Sequence, residues 1–284
     1  MRQSRPGLQA APADHIILGA VGAAREPSRL AGVWSLMPSR WPSRLWIVRH
    51  GESAGNVARD LAHTSGLSRI SIAERDVDVP LSDRGVEQAM ALGQWFAGLA
   101  PKPDVVLTSP YLRARRTAER VRDAGGLAPS VDHDTDERLR EREFGVLDRL
   151  TSQGIAEFFP EQAEARRTMG KFYHRPPGGE SWCDVILRLR SALDTISLHY
   201  AGRNVLIIGH QVVVLCLRYL IEKLNEEQIL AIDRLGDVVN CGVTEYQLDE
   251  AADVLRLVRY NFAAPLNEAG APITSAPDKP VAAR

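Results

Sequence analysis

Two short apolar runs in this 284-residue chain each end at a histidine. Leu45–Val48 leads into Arg49 and His50. Val205–Ile208 leads, after one glycine, into His210. Continuous apolar runs of this length are typical of strands that are buried on both faces of a parallel sheet. Burying a polar ring directly after such a strand costs free energy, which favours a functional role for a histidine there. The two histidines therefore predict a functional site at the carboxyl edge of one sheet.

Apolar strand-like runs alternate with helical patterns along the chain. This order is typical of the α/β class, and we predict a three-layer α/β/α sandwich with a mostly parallel central sheet. Ser82 is a good N-cap for the first long helix. The predicted strands are Leu45–Val48, Val105–Leu107, Val205–Ile208, Cys241–Leu248 and Val254–Tyr260, and the predicted helices are Asp83–Leu99, Leu112–Ala124, Ser181–Tyr200 and Val212–Leu224.

The domain organisation follows from the two ends of the chain. Residues 1–43 are rich in Pro and Arg, and residues 263–284 are rich in Ala and Pro, with no sustained period in either segment. We predict a flexible N-terminal extension over 1–43 and a flexible tail over 263–284. Because no linker or repeat divides residues 44–262, we predict one domain there.

Charge and cysteine content exclude several classes of partner. The chain has 35 Lys and Arg against 36 Asp and Glu, so no global field favours nucleic acid or an anionic membrane. Polar residues interrupt the most apolar stretch, 205–221, well short of the roughly 20 residues that a membrane span needs. Three cysteines without a C-x-x-C pair indicate no disulfide framework. We therefore expect a cytoplasmic protein that recognises anions only locally.

A third strand ends at the same predicted edge. Val105–Leu107 runs into Thr108-Ser109-Pro110, and Arg113 follows in the first turns of a helix. On position alone Arg113 ranks no higher than the neighbouring arginines, which predict a solvated helix face.

These residues resemble a known family. Residues 49–56 read Arg-His-Gly-Glu-Ser-Ala-Gly-Asn and match the R-H-G-x-[ST]-x-x-N signature of the histidine phosphatase superfamily, whose fold is phosphoglycerate mutase-like. The resemblance covers about residues 44–250, and several short motifs in one order are specific. The further matches are Pro80-Leu81-Ser82 with Gly85 and Gln88-Ala89, Thr108-Ser109-Pro110 with Arg113-Ala114 and Thr117-Ala118, Leu139–Arg142 with Gly145, Pro177–Ser181, and Ile208-Gly209-His210.

The resemblance implies a phosphoryl-transfer site with His50 as nucleophile. Glu141 is implied as general acid and base, and His210, Arg49 and Arg113 complete the implied catalytic set. The implied phosphate-binding residues are Arg49, Ser53, Asn56, Arg113, His210 and Gln211. An attacking histidine must be neutral, and we expect Arg49, Arg113 and a cationic His210 to lower the pKa of His50.

The acid lies in a charged loop that offers other carboxylates. Asp136, Glu137 and Glu143 lie near Glu141 in the sequence, and these charged residues could equally form a solvated ion-pair cluster. The register set by Leu139 and Gly145 favours Glu141.

No cofactor or metal is predicted. The nearest metal candidate is His133 with Asp132, Asp134 and Asp136, which we interpret as a polar loop because its spacing is not that of a ligand set. Neither a P-loop nor a strand followed by G-x-G-x-x-G is present.

Within the family we favour a metal-independent phosphomonoester hydrolase over a cofactor-dependent phosphoglycerate mutase. The stretch between Glu141 and His210 is short, and Arg75–Val79 replaces the Thr-Gly-Trp segment of the mutases. A non-catalytic phosphate-binding module is the third alternative, which would need only the cations. The expected partner is a small phosphorylated metabolite whose identity depends on segments 57–79 and 153–175. The sequence predicts no oligomeric state.

Overall fold

The fold is a single six-stranded sheet between two layers of helices. It is seen in a computed structural model that describes residues 39–275; residues 1–38 of the predicted extension and 276–284 of the predicted tail lie outside the described residues. The strands are β1 (Arg44–Arg49), β2 (Val105–Thr108), β3 (Asp132–Thr135), β4 (Asn204–Gly209), β5 (Val243–Asp249) and β6 (Val254–Phe262). Their order is β3-β2-β4-β1-β5-β6. The strands from β3 to β1 pair in parallel, and β5 and β6 join antiparallel.

Nine α-helices occur within residues 39–275. They are α1 (Ala54–Thr64), α2 (Asp83–Ala97), α3 (Leu112–Asp123), α4 (Ser152–Phe158), α5 (Pro160–Tyr173), α6 (Trp182–His199), α7 (Gln211–Ile221), α8 (Glu226–Leu235) and α9 (Ala264–Glu268). Helix α5 is broken at Gly170, whose φ is 78°. In this part of the chain, no helix combines the length and apolar character needed to cross a membrane.

Alternate side chains of each strand enter two separate cores. Leu45 and Ile47 of β1 belong to the core that α6 and α7 cover. Trp46 and Val48 belong to the opposite core, which α2 and α3 cover. The period of two in a strand sends successive side chains to opposite faces, so an uninterrupted apolar run is needed where both faces are buried. The predicted three-layer α/β fold is confirmed.

Three of the helices have a serine as N-cap, in loops close to the site. Ser53 and Ser181 each form a capping box at the start of α1 and α6. The hydroxyl of Ser82 accepts from the backbone N–H of Gly85 at 3.1 Å at the start of α2, as its sequence position predicts. These caps satisfy helix N–H groups and fix where each helix begins after its loop.

Helix α1 and strand β3 carry little apolar signal, and both are among the elements that the sequence does not predict. Helix α1 buries only Asn56 and Ala62. The residues around His133, interpreted as a polar loop, form β3 instead. This strand pairs only with β2 and is largely exposed, so it has no buried face that would show as apolar alternation.

The segment after residue 263 differs from the predicted flexible tail. Helix α9 places Leu266, which is 0% exposed, in the core that α2 and α3 cover. The backbone of Thr274 accepts a hydrogen bond from the N–H of Asn240 at 2.9 Å. A single buried leucine among Ala and Pro gives no periodic signal, which is why composition alone favours a tail here.

The close approach of α2 to the loop after β1 requires glycine at position 85. A Cβ on Gly85 would lie 1.9 Å from the carbonyl oxygen of Glu52. We expect Gly85→Ala to lower the free energy of unfolding by about 1–3 kcal/mol, since backbone must move to admit the methyl group. The control is Gly98→Ala, where the nearest atom would be the carbonyl oxygen of Trp95 at 3.6 Å. Urea denaturation that gave the same midpoint for both variants would contradict this account.

Candidate active site

The ends of three adjacent parallel strands bring the predicted residues together. The N–H of His50, after β1, donates to the carbonyl of Gly209 at 2.9 Å, and the N–H of Ser109, after β2, donates to that of Ile208 at 3.0 Å. The rings of His50 and His210 are 5.1 Å apart between centroids. Both rings are buried. The matched strand-end histidines of the sequence therefore form one cluster.

The tautomer of His50 is fixed by its own loop. Its Nδ1 lies 2.6 Å from the carbonyl oxygen of Gly51. Because a carbonyl oxygen can only accept, Nδ1 carries the proton and Nε2 has the lone pair. The Nε–H of Arg113 donates to that Nε2 at 3.3 Å. The unprotonated nitrogen thus faces a guanidinium.

Burial and neighbouring cations keep both histidines neutral. Burial, then Arg113 and Arg49, hold the pKa of His50 well below its ordinary value. Burial, then Arg113 and His50, do the same to the pKa of His210. The lowered pKa argues against the expected cationic His210, because a second buried positive charge beside two arginines is strongly disfavoured.

His210 has one partner and one open nitrogen. Its Nε2 lies 2.7 Å from the hydroxyl of Ser109, and the ring of Tyr111 packs edge-on against it with centroids 5.1 Å apart. Its buried Nδ1 has no hydrogen-bond partner among the described residues. The nearest carboxylate oxygen is Oε2 of Glu141 at 4.0 Å. A buried ring nitrogen without a partner is available to a ligand oxygen.

Arg49 and Arg113 are the buried cations that act most strongly on the two histidines. Nη1 of Arg49 donates to the carbonyl of Val238, and its buried Nε has no partner within residues 39–275. Burial lowers the pKa of Arg49 to about 10. Arg113 is buried in the first turn of α3, whereas Arg115 and Arg116 are exposed. Packing therefore singles out Arg113 from the neighbours with which the sequence grouped it.

Asp76 binds the outer side of Arg113. Its carboxylate oxygens lie 3.0 and 3.3 Å from Nη1 and Nη2 of Arg113, and its backbone carbonyl lies 2.6 Å from Nη1. The sequence does not predict this contact, because Asp76 lies in a segment without hydrophobic periodicity. In the structure Asp76 begins a short 3₁₀ helix, Asp76–Asp78, next to the site.

Glu141 is the acid of the charged loop that lines the cavity. Its side chain is 16% exposed, and its Oε1 accepts from the N–H of Arg142 at 2.8 Å. Burial raises its pKa, which favours the protonated form. The other acids have different partners: Asp136 binds Arg138, Glu143 accepts from the hydroxyl of Tyr111, and Glu137 is exposed.

A buried ion-pair network holds the loop that carries Glu141. The carboxylate of Glu180 accepts from Arg140 at 2.8 Å, from Arg188 at 2.9 Å and from the N–H of Glu143 at 3.1 Å. Arg188 also donates to the carbonyl of Glu141 at 3.2 Å. Gly145 closes the loop with a φ of 55°, a conformation that favours glycine.

The three polar candidates Ser53, Asn56 and Gln211 all line the cavity, but they differ in whether their side-chain donors already have partners. The hydroxyl of Ser53 is used in the cap of α1, where it donates to Oδ1 of Asn56. The side-chain nitrogen of Asn56 has no partner among the described residues. The side-chain nitrogen of Gln211 donates to Asp237 at 2.7 Å. Of the three, Asn56 has the donor most available to a phosphate oxygen.

The cavity has a volume of about 160 Å³ and continues outward from His50. Its outer wall contains apolar side chains and two half-buried arginines, Arg59 and Arg166. Arg59 comes from segment 57–79 and Arg166 from segment 153–175, so both segments expected to carry specificity reach the site. Among residues 39–275, no group of three or more His, Cys, Asp or Glu is arranged to hold a metal.

Comparison with known proteins agrees with this geometry. The family model "Histidine phosphatase superfamily (branch 1)" matches residues 45–261. The chain is 32% identical over 192 residues to a 2,3-bisphosphoglycerate-dependent phosphoglycerate mutase of Rhizobium meliloti (strain 1021), covering 66% of this chain and 84% of the mutase. It is 30% identical over 187 residues to a 6-phosphofructo-2-kinase/fructose-2,6-bisphosphatase of Gallus gallus, which are 66% of this chain and only 34% of that protein.

Solved structures of phosphatases superpose on most of this chain. A mycobacterial glucosyl-3-phosphoglycerate phosphatase superposes with a TM-score of 0.59 at 26% identity, covering 78% of this chain and 99% of that one. The alpha-ribazole phosphatase of Shigella flexneri superposes with a TM-score of 0.62 at 22% identity, covering 78% and 96%, a likeness of fold alone. With its two strand-end histidines and paired arginines inside the matched region, the chain belongs to branch 1 of the histidine phosphatase superfamily.

Proposed function

We propose that this protein is a metal-independent phosphomonoester hydrolase that acts through a phosphohistidine on His50. The observation that carries the proposal is the pairing of a neutral His50, whose unprotonated Nε2 lies 3.3 Å from the Nε of Arg113, with a partly buried Glu141 whose pKa is raised. Phosphoryl transfer needs a nucleophile, cations around the phosphoryl oxygens and a proton for the leaving oxygen. These residues supply all three.

In the first step, Nε2 of His50 attacks phosphorus. A P–N bond forms as the P–O bond to the leaving group breaks, and the proton of Glu141 passes to the leaving oxygen. Arg49 and Arg113 stabilise the phosphoryl oxygens. The imidazole gains positive charge as it is phosphorylated, and the carbonyl of Gly51 stabilises that charge by accepting from Nδ1–H at 2.6 Å.

In the second step, water attacks the phosphohistidine. The carboxylate of Glu141 accepts a proton from the water, and the P–N bond breaks. The electron pair of that bond returns to Nε2 of His50, and inorganic phosphate leaves. His210 has the role of a donor to a phosphoryl oxygen, because a bound dianion raises the pKa of a neighbouring imidazole and offsets the effect of the arginines.

The alternative within the family is a cofactor-dependent phosphoglycerate mutase. It is favoured by the similarity to the Rhizobium enzyme, whereas the similarity to a glucosyl-3-phosphoglycerate phosphatase favours hydrolysis. Assays with 3-phosphoglycerate separate the two, since a mutase returns the phosphoryl group to an organic acceptor and releases little phosphate. A non-catalytic phosphate-binding module would need neither His50 nor Glu141, and both are present.

The proposed substrate is a small phosphorylated metabolite, taken up by the domain over residues 44–262 in the cytoplasm. The apolar side chains Ile70, Ile72 and Phe144 and the arginines at the outer wall offer contacts to its organic part. No nucleic acid or membrane partner is proposed, in line with the neutral charge balance.

His50→Ala should reduce phosphate release at least about 1,000-fold, because no neighbouring group replaces the nucleophile. The measurement is release of phosphate in EDTA from a panel of phosphomonoesters that includes sugar phosphates, nucleotides and an aryl phosphate. His199→Ala, which removes an exposed histidine at the end of α6, is the matched control and should leave the rate unchanged. Hydrolysis that survived in His50→Ala would refute the phosphohistidine.

Glu141→Gln should lower kcat/KM, which reports the first step, about 100-fold for alkyl phosphates and about tenfold at most for an aryl phosphate, because a phenolate leaves without a proton. The same rates are measured for Glu137→Gln, which alters an exposed acid of the same loop. Equal losses for both ester types would exclude Glu141 as the general acid.

The pH profile of kcat/KM should fall on its basic side as Glu141 loses its proton. His50 must be neutral, and its low pKa keeps it so well below pH 6.5, the ordinary pKa of histidine. Burial, with a smaller contribution from the Asp76 carboxylate, raises the pKa of Glu141. Asp76→Asn should therefore move the basic limb to lower pH. An unmoved limb would show that Asp76 does not influence the acid.

A further inference from the structure

Two fully buried amide side chains lie behind the loop that carries the nucleophile. Oε1 of Gln88, on α2, accepts from the N–H of Glu52 at 2.8 Å. Nδ2 of Asn240, which precedes β5, donates to the carbonyl of His50 at 3.0 Å. The two amides therefore bind the backbone of the loop on either side of Gly51, whose own carbonyl fixes the tautomer of His50.

Thr274 connects these amides. Its hydroxyl oxygen accepts from Nε2 of Gln88 at 2.7 Å and donates to Oδ1 of Asn240 at 3.1 Å. The same Gln88 nitrogen donates to the carbonyl of Pro272 at 2.8 Å. Donors and acceptors agree along the whole chain of bonds, from the N–H of Glu52 through both amides to the carbonyl of His50.

We propose that Thr274 is a positioning residue for His50, and that the segment carrying it is part of the catalytic scaffold. Thr274 lies beyond the region 45–261 that the family model matches. This inference rests on the proposed function, since it assigns the segment to the nucleophile of that reaction.

The physical reason is the cost of leaving a buried amide without a partner. Without the hydroxyl, Oδ1 of Asn240 loses its donor, and Nε2 of Gln88 keeps only the carbonyl of Pro272. The amides can then rotate toward other partners, which frees the N–H of Glu52 or the carbonyl of His50. A nucleophile displaced by a fraction of an ångström loses its in-line position, while Arg49 and Arg113 still bind the phosphate.

The test compares Thr274→Val with Thr274→Ser. Valine has nearly the same shape without the hydroxyl, and serine retains it. For the best ester of the panel, we expect kcat of Thr274→Val to fall about tenfold or more with KM changed less than about twofold, and Thr274→Ser to retain most of the wild-type kcat. Ile273→Ala, at a neighbouring side chain that is 45% exposed, is the control for any change in this segment.

Amide hydrogen exchange gives a second readout that does not need turnover. Exchange in a peptide covering residues 50–53 should be faster in Thr274→Val by about threefold or more, and unchanged in Thr274→Ser and Ile273→Ala. Thermal unfolding of each variant establishes that it is folded.

The outcomes separate this inference from the proposed function. An active wild-type enzyme with an equally active Thr274→Val variant and unchanged exchange overturns the inference alone. A wild-type protein that releases no phosphate overturns the proposed function, and exchange then still decides whether Thr274 holds the loop. Equal losses of kcat in Thr274→Val and Thr274→Ser would also overturn the role of the hydroxyl.

Discussion

The parallel pairing of β1 with β4 is the constraint on which the site depends. Its register sets Arg49 opposite Gly209, so that His50 and His210 leave the sheet side by side. The strands can be buried on both faces only because their side chains are apolar in an unbroken run. That burial in turn removes water from the histidines, and desolvation is the largest cause of their low pKa values. Core packing and the protonation state of the two histidines therefore have the same physical origin.

Two buried arginines place positive charge beside the two histidines of the site. Arg49 and Arg113 lie beside two neutral rings, and the counter-charge on Arg113 is the carboxylate of Asp76. An uncompensated buried cation is costly, so the carboxylate of Asp76 stabilises the buried Arg113. A phosphoryl group entering near Nε2 of His50 would share Arg113 with Asp76, which makes Asp76 part of the same electrostatic balance.

Both reacting loops are held from behind by distant parts of the chain. Glu180 and Arg188 fix the loop of Glu141 through charged hydrogen bonds. Neutral amides at 88 and 240 fix the loop of His50. This difference fits the proposed role of His50 as nucleophile, because an additional charge beside it would change its pKa, whereas neutral amides do not.

The sequence by itself determined the fold class, the two histidines at strand ends and the family, because buried parallel strands and short ordered motifs are local features. It ranked Glu141 first among four acids only by motif register, and it distinguished Arg113 from its neighbours only by the motif match, not by position. Tertiary structure decided these points by burial: Arg113 turns inward to His50, and Glu141 alone of the four acids lines the cavity. The neutrality of His210, the binding of Asp76 to Arg113 and the bonds of Thr274 also needed the structure, since each depends on residues far apart in the chain that only packing brings into contact.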